Sequence, residues 1–286
     1  MSRAEPLIRN ISDTALLTAV YRARETERPD ALFRDPLAQR LAGERGERIA
    51  AGIPFSDHHT WSWVTRTYLF DQFIAEQLRL GLNMVVNLAA GLDTRPYRMA
   101  LPASLTWIEV DLPGLLSYKE EVLGSEKPAC SLERVRLDLS DAGARRELFG
   151  TLGRRAGRTL VITEGLIIYF TADEVGSLAR DLAAAPGFQR WVFDLVSPGL
   201  LKVLQRKMGP QLERGGSPLK FGPREGPEFF LPHGWRPLDV RSMCRTTQRL
   251  ERLRLWMRLL GLLPDPKELP GPRPWGGVCL FAKSGG

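Results

Sequence analysis

From residue 83 onward, short apolar runs alternate with segments of helical spacing, and this alternation limits the fold more than any other feature of the 286-residue chain. Helical patterns follow the first four runs, at 94–101, 113–124, 141–153 and 172–185. Buried apolar strands joined by helices are typical of parallel βαβ units. The pattern therefore predicts an α/β fold with a doubly wound, seven-stranded sheet. The seven predicted strands are 83–89, 105–111, 134–139, 159–165, 190–196, 235–241 and 277–283.

Three segments depart from this alternation. Residues 1–80 show helical spacing and no convincing strand, which predicts a helical N-terminal lid on a sheet domain at 81–286. Residues 197–234 are rich in proline and glycine, so they predict an insertion after strand five. An insertion there sits at the carboxyl edge, where such sheets bind ligands, and could cap a substrate. A further helix is predicted at 248–263, between the last two strands.

The composition is that of a soluble globular protein, with 43% hydrophobic and 26% charged residues. The polar N-terminus and the absence of a long apolar run predict neither a signal peptide nor a membrane span. Three widely spaced cysteines argue against a disulfide framework and a zinc site, so we expect a cytoplasmic protein without a metal. The net charge of +7 is spread over acid-interleaved stretches, which does not favour nucleic acid as a partner.

The carboxyl ends of the predicted strands carry a set of residues suited to a ligand. Strand one runs into "NLAAGLDTR", where Gly91 lets the backbone approach a ligand closely. Asp111 follows 20 residues later, the distance at which an acid meets a ribose hydroxyl pair in nucleotide-binding βαβ units. Asp138 and Glu164 end strands three and four. Each acid alone is more typical of a helix cap or loop, but together they predict a nucleotide site on one rim.

The glycine pattern and the charge of this rim indicate which nucleotide binds. The dinucleotide fingerprint needs three glycines, and their places are taken by Ala89, Gly91 and Thr94. Several carboxylates would also repel a diphosphate. S-Adenosylmethionine carries a ribose, an ammonium and a sulfonium but no phosphate. The residues therefore favour this methyl donor over NAD.

Several blocks of the chain resemble the leucine carboxyl methyltransferase family. The blocks are "VVNLAAGLDTRPYRM", "WIEVDLP", "RLDLSD", "ITEGLIIYF", the N-terminal "TALLTAVYRARETERPDALFRDPLAQRLAG" and "WVTRTYLFDQFI", and the later "PLKFGPREGPEFFLPHGWRPLDV". They are most similar to the bacterial branch of S-adenosylmethionine-dependent O-methyltransferases, which includes polyketide carboxyl methyltransferases. The resemblance covers roughly residues 12–283 and implies the class I methyltransferase version of the Rossmann-like fold.

The resemblance also implies roles for individual residues. Arg66 would hold the cofactor carboxylate, which suits the planar fork of a guanidinium. Gly91 would lie against the methionine part, and Asp111 would bind the ribose. Asp138 and Leu139 would surround the adenine, and Glu164 would lie near the amino group. The loop reads Ala89-Ala90-Gly91 where other members often have Gly-Ala-Gly, which removes one point of backbone freedom.

The acceptor decides whether the reaction needs a base. A carboxylic acid of pKa ~4 is already ionised at neutral pH, whereas a phenol of pKa ~10 must be deprotonated. His58 and His59 lie in the predicted lid and His233 in the insertion. His59, His233 and Tyr169, which follows strand four, are the candidates for positioning the acceptor, and Tyr169 is expected to form a pocket wall. Each has an ordinary structural explanation as well.

The sequence thus predicts an O-methyltransferase that methylates a carboxylate of a small, secondary-metabolite-like molecule by in-line displacement. The aromatic residues of the insertion (Phe221, Phe229, Phe230 and Trp235) favour a bulky or aromatic acceptor, although core packing would explain them equally. The alternatives are an NAD-dependent oxidoreductase, a non-catalytic S-adenosylmethionine-binding module, and methylation of a phenol or a protein C-terminal carboxylate. The oligomeric state is not predicted.

Overall fold

Seven strands form one mixed sheet in the order β3-β2-β1-β4-β5-β7-β6 in this computed structural model. Residues 12–52, 56–155, 157–252 and 273–285 are described, without the side chains of 56–59. The strands are β1 (Met84–Leu88), β2 (Thr106–Asp111), β3 (Ser131–Arg136), β4 (Thr159–Thr163), β5 (Phe188–Val196), β6 (Trp235–Ser242) and β7 (Gly276–Lys283).

Strands β1 to β5 are parallel, and β7 runs antiparallel to both β5 and β6. Every residue of β1 and β4 is buried, as expected for parallel strands that are covered on both faces. β1 pairs with β2 on one side and with β4 on the other, so the strand order reverses at β1. A crevice forms beyond the carboxyl ends at such a reversal. The predicted doubly wound, seven-stranded fold is therefore confirmed.

Helices cover both faces of the sheet and form the N-terminal segment. They are α1 (Ser12–Thr26), α2 (Ala38–Gly52), α3 (Ser56–Arg79), α4 (Arg95–Arg98), α5 (Pro113–Leu123), α6 (Ala142–Arg155), α7 (Ala172–Ala184), α8 (Pro198–Arg214) and α9 (Met243–Arg249). Two 3₁₀ helices span Ile167–Tyr169 and Gly226–His233. Within the described ranges, none of the helices is long and apolar enough to cross a membrane.

The third strand begins and ends three residues earlier than the sequence predicts. The prediction of 134–139 followed the short run "RVRLDL". The observed strand is set by pairing, since Ser131 stands opposite Thr106 at the start of β2. β3 lies at the edge of the sheet and is partly exposed, so its own apolar pattern marks its bounds poorly. Asp138 and Leu139 consequently lie in the loop after β3.

The segment after β5 is more regular than its proline and glycine content predicts. It begins with the 17-residue helix α8, in which Pro198 occupies the first turn, where a proline is tolerated. The side chain of Ser197 caps this helix by accepting a hydrogen bond from the Leu200 N–H. Of the later helix predicted at 248–263, only residues 248 and 249 lie in α9, and residues 250–252 are not helical. The remainder, from 253 onward, lies outside the described residues.

The aromatic residues of the predicted insertion belong to the core. Trp191 and Phe193 of β5 contact Phe230, Trp235 and Phe281, with ring centroids 4.6–5.5 Å apart. Phe221 is also buried, and Phe229 packs against the same cluster. These residues therefore give no support to an aromatic acceptor.

Helix α1 is tied to the loop that follows β1. The Arg22 guanidinium donates to the Leu92 carbonyl at 2.6 Å and to the Asp35 carboxylate at 2.7 Å. Thr94 donates to the same carboxylate at 2.6 Å. These buried contacts hold the N-terminal helices against the carboxyl edge of the sheet, at the predicted ligand site.

Candidate functional site

A cavity of about 800 Å³ opens at the carboxyl edge of the sheet. This volume lies in the upper part of the range of roughly 300–1,000 Å³ that small-molecule sites occupy. The cavity brings together eight residues that the sequence predicts at the site, which are Arg66, Ala89, Gly91, Asp111, Asp138, Leu139, Glu164 and Tyr169.

Gly91 and Asp111 are joined by a hydrogen bond. The Gly91 N–H donates to Asp111 Oδ2 at 2.6 Å, and the Leu112 N–H donates to Oδ1 at 2.7 Å. Burial raises the pKa of Asp111, although the two N–H donors act in the opposite direction. Each carboxylate oxygen has two lone pairs, so one acceptor position per oxygen remains for a ligand. Asp111 is thus oriented to accept from a pair of hydroxyl groups.

The turn after β1 uses left-handed backbone at two positions. Gly91 has a φ of 51°, and a Cβ built on it would lie 3.5 Å from Ala15 Cβ of α1. Ala89 also has a φ of 51°. This conformation costs a non-glycine residue on the order of 1–3 kcal/mol. Glycine would adopt it freely, so the alanine at 89 carries strain in the wall of the cavity.

Glu164 lies between the partly buried Arg66 and the buried Arg95. Its Oε1 accepts from Arg66 Nε at 3.1 Å, and its Oε2 pairs with Arg95 Nη1 at 2.8 Å. Arg66 Nη1 also lies 3.5 Å from Asp194 Oδ2, and the Arg66 guanidinium stacks over Trp63. Burial alone would lower the pKa of Arg66, but Asp194 and Glu164 raise it above its ordinary value. Arg66 is therefore a permanent cation in the cavity wall.

Arg95 is the centre of a second buried group of charges. Its side chain is 2% exposed and pairs with Asp71 at 2.6 Å and with Asp93 at 2.9 Å, in addition to Glu164. Asn87 of β1 donates to the same Asp93 oxygen at 2.8 Å. Burial would raise the pKa of Asp93, but Arg95 and the nearby cations Lys119 and Arg98 lower it to about 2. Asp93 therefore remains ionised at neutral pH.

Asp194 is a residue of the cavity that sequence reasoning did not single out. Its Oδ1 accepts from the Gly165 N–H at 2.6 Å, which holds the positive-φ turn after β4. Burial raises the pKa of Asp194, while Arg66 acts to lower it. An acid within the otherwise apolar run "WVFDLV" was a usable signal, because a buried carboxylate needs a partner. Asp93 and Arg95, in "LDTR", were also missed as site residues.

The remaining predicted residues occupy different surroundings. Tyr169 lines the cavity and hydrogen-bonds to Thr14 of α1, and its pKa is raised above its ordinary value chiefly by burial. Leu139 is buried, whereas Asp138 is exposed and accepts from the Ser140 N–H at 2.9 Å.

The histidines do not join this group in the described part of the chain. His233 Nδ1 lies 3.0 Å from Arg180 Nη1 of α7, and the His233 ring packs against Phe229. It is absent from the lining of the cavity. The side chains of His58 and His59 lie outside the described residues.

Comparisons with known proteins show which family the chain resembles. The family model of leucine carboxyl methyltransferase matches residues 15–183. A Parafrankia protein named as a candidate S-adenosyl-L-methionine-dependent methyltransferase is 32% identical over 252 residues, covering 83% of this chain and 81% of the relative. A Streptomyces coelicolor protein with a similar name is 31% identical over 273 residues, covering 90% of this chain and 92% of the relative.

Solved structures resemble the fold at low sequence identity. A candidate methyltransferase from Thermobifida fusca matches with a TM-score of 0.59 and 16% identity, covering 97% of this chain and 96% of the other. A DUF574 family protein from Streptomyces avermitilis matches with a TM-score of 0.58 and 12% identity, covering 93% and 97%. At these identities the likeness concerns the fold alone.

Proposed function

Because the chain belongs to the leucine carboxyl methyltransferase family, and is thus an S-adenosylmethionine-dependent methyltransferase, we propose that it methylates a carboxylate oxygen of a small molecule. The family assignment argues against two of the alternative functions, the NAD-dependent oxidoreductase and the non-catalytic S-adenosylmethionine-binding module. The nature of the acceptor rests on the chemistry of the cavity.

The cavity wall fits the chemistry of the methyl donor. Among the described residues, five carboxylates and five arginines line it, so it offers acids for a sulfonium and an ammonium group and cations for a carboxylate. Asp111 would hold the ribose hydroxyls, because both of its oxygens are oriented by backbone N–H groups and still have free lone pairs. Gly91 would lie against the methionine part. Asp138 and Leu139 would flank the adenine, Glu164 would face the amino group, and Arg66 would bind the carboxylate.

When bound, S-adenosylmethionine supplies an electrophilic methyl group on a sulfonium. Displacement at that carbon is in line, so the residues of this chain mainly position the attacking oxygen and exclude water. Tyr169 and α1 would form the wall beside that oxygen, since Tyr169 hydrogen-bonds to Thr14 of α1 and both residues line the cavity.

The observation that carries the proposal is the state of the carboxylates in the described lining. Each of these carboxylates already accepts a hydrogen bond or takes part in an ion pair. They are Asp93, Asp111, Asp138, Glu164 and Asp194. No histidine is found among the described lining residues. A site with this lining suits an acceptor that is ionised before it binds. A carboxylic acid meets that requirement, whereas a phenol does not.

The pH dependence of methyl transfer tests this proposal. Between about pH 6 and 8, kcat/KM is expected to change by less than roughly twofold, because an acid of pKa ~4 is almost fully ionised throughout. The measurement is the release of S-adenosylhomocysteine with a panel of carboxylic acids and phenols. A rise of about tenfold per pH unit would instead mean that the acceptor must lose a proton, and would overturn the carboxylate assignment.

Replacing Arg66 by alanine is expected to weaken S-adenosylmethionine binding by about tenfold, as loss of a charge-assisted hydrogen bond implies. Lysine at this position should restore only part of the affinity, because it lacks the planar fork. Calorimetric titration of the folded variants measures the effect. Arg48→Ala is the matched control, since Arg48 is exposed on α2 and pairs only with Glu44 in the described structure. Unchanged affinity in Arg66→Ala would mean that Arg66 does not bind the methyl donor and only pairs with Glu164 and Asp194.

A further inference from the structure

Helix α8 presents a continuous apolar stripe to the cavity. The lining residues of this helix are spaced at i, i+3, i+4, i+8 and i+12, which places them on one face. The stripe extends over about 18 Å at ~1.5 Å per residue. The α8 stripe consists of Leu200, Val203, Leu204, Met208 and Leu212.

The two faces of α8 differ in exposure, as they do on an amphipathic helix packed against a core. Met208 and Leu212 are buried in the apolar cluster that α1 and α2 also enter. Lys202 and Arg206, on the other face, are exposed. Val203 and Leu204 of the stripe are only partly buried, so apolar surface remains available toward the cavity. Ligand sites are lined mainly by such apolar side chains, so Val203 and Leu204 are available to contact an apolar group in the cavity.

The α8 stripe begins at a strand end separate from those of Gly91 and Asp111, and next to the one that Glu164 follows. α8 leaves the sheet at the carboxyl end of β5, whereas Gly91, Asp111 and Glu164 follow β1, β2 and β4. β5 is separated from β2 by β1 and β4 in the sheet. The stripe thus lines a part of the cavity wall that carries none of the residues assigned to the methyl donor.

A cation lines the cavity near the beginning of the stripe. The Arg273 carbonyl accepts from Ser197 Oγ at 2.9 Å, which places Arg273 beside the first turn of α8. Within the ranges that the structure describes, no ion pair involves its guanidinium. An acceptor with one carboxylate and an apolar body would complement both features.

We propose that the acceptor is an amphiphilic carboxylic acid whose extended apolar body lies along the α8 stripe and whose charge is attracted by Arg273. This inference rests on the proposed function for the identity of the reacting group. It adds the size and polarity of the remainder of the molecule, which excludes small polar acids as preferred acceptors.

The test is a binding series with butanoate, octanoate and dodecanoate, together with their alcohols. Titrations are made with S-adenosylhomocysteine present, so that no turnover occurs. Each added methylene that becomes buried should tighten binding up to about fourfold. The alcohols should bind more weakly than the acids, and Arg273→Gln should remove that difference. Equal affinity along the acid series would overturn the proposed role of the stripe, and equal binding of acids and alcohols would overturn that of Arg273.

Variants of α8 separate the stripe from general hydrophobic binding. Leu204→Asn should flatten the dependence of affinity on chain length, whereas Lys202→Asn, on the exposed face, should leave it unchanged. Val203→Thr keeps the shape of the side chain while adding a hydroxyl, so it provides the same comparison if Leu204→Asn does not fold. A length dependence that survives in the folded stripe variant would place the apolar body elsewhere.

This experiment distinguishes the inference from the proposed function. If long acids bind tightly through the α8 stripe but no methyl ester forms, the proposed function fails, and the role of the stripe in binding an apolar body stands without it. If short polar acids are methylated as efficiently as long ones, the proposed function stands and the inference fails.

Discussion

Asp111→Asn is expected to weaken S-adenosylmethionine binding by roughly tenfold to a hundredfold, the range for losing a hydrogen bond to a charged group. In the structure both carboxylate oxygens accept from backbone N–H groups, those of Gly91 and Leu112. An asparagine offers only one acceptor oxygen, so its NH₂ group must face one of these donors. The change therefore disturbs the loop after β1 as well as the ribose contact.

Calorimetry on the wild type and the variant measures this loss. Asp141→Asn is the matched control, because Asp141 is an exposed acid outside the cavity lining that accepts from the Gly143 and Ala144 N–H groups at the start of α6. It should reduce stability slightly and leave the affinity for the methyl donor unchanged. Equal affinity in wild type and Asp111→Asn would remove Asp111 from the cofactor site.

The same pair of proteins should differ in their response to acid. Because burial raises the pKa of Asp111, its carboxylate takes up a proton at a higher pH than an ordinary aspartate would. As the pH falls through that raised value, an acceptor is lost and the affinity of the wild type should decline. The side chain of asparagine does not take up a proton in this pH range. The affinity of the variant should therefore lack the decline that protonation of Asp111 causes in the wild type.

Arg95→Leu is expected to destabilise the fold by about 3–5 kcal/mol, the range for removing one partner of a buried charge group. The side chain pairs with Asp71, Asp93 and Glu164. In the variant Arg98 still pairs with Asp71 and Arg66 with Glu164, so Asp93 is the carboxylate that loses its paired arginine. For a domain of this size the loss corresponds to a decrease in Tm of roughly 10 °C. Thermal unfolding monitored by circular dichroism provides the measurement.

Arg155→Leu is the control for this change, because Arg155 and its partner Glu133 are both about 40% exposed. Such a surface pair contributes at most about 1 kcal/mol. A Tm for Arg95→Leu that is close to that of Arg155→Leu would contradict the view that the buried group holds the site together.

The loss of stability at low pH is a second measurement that should distinguish Arg95→Leu from the wild type. The pKa of Asp93 in the folded wild type is about 2, below the value of ~3.9 for an unfolded chain. Its stabilising contribution is therefore complete above about pH 4 and disappears as the pH falls toward 2. Without Arg95 the pKa of Asp93 should rise, so the variant should lose less stability from this group over the same interval.

The local apolar pattern of the sequence was sufficient to predict the bounds of most strands in the sheet. The fully buried strands β1 and β4 and the largely buried β2 carry short apolar runs, so the sequence predicts them to within about two residues. The partly exposed edge strand β3 was misplaced by three residues, because its pairing with β2 outweighs its own pattern. Helix α8 was obscured by Pro198 and Pro210, although its apolar stripe was already present in "LLKVLQRKMGPQL".

By itself, the sequence determined the order of the strands along the chain and the rim on which Gly91, Asp111 and Glu164 meet, because βαβ connections bring the carboxyl ends of parallel strands to one edge. Only the tertiary structure decided how the charges on that rim are paired. Arg66 of α3, Glu164 after β4 and Asp194 of β5 are up to 128 residues apart and meet only when α3 packs on the sheet. Ion pairs depend on distances of a few ångströms in a buried setting, and no periodicity along the chain encodes those distances.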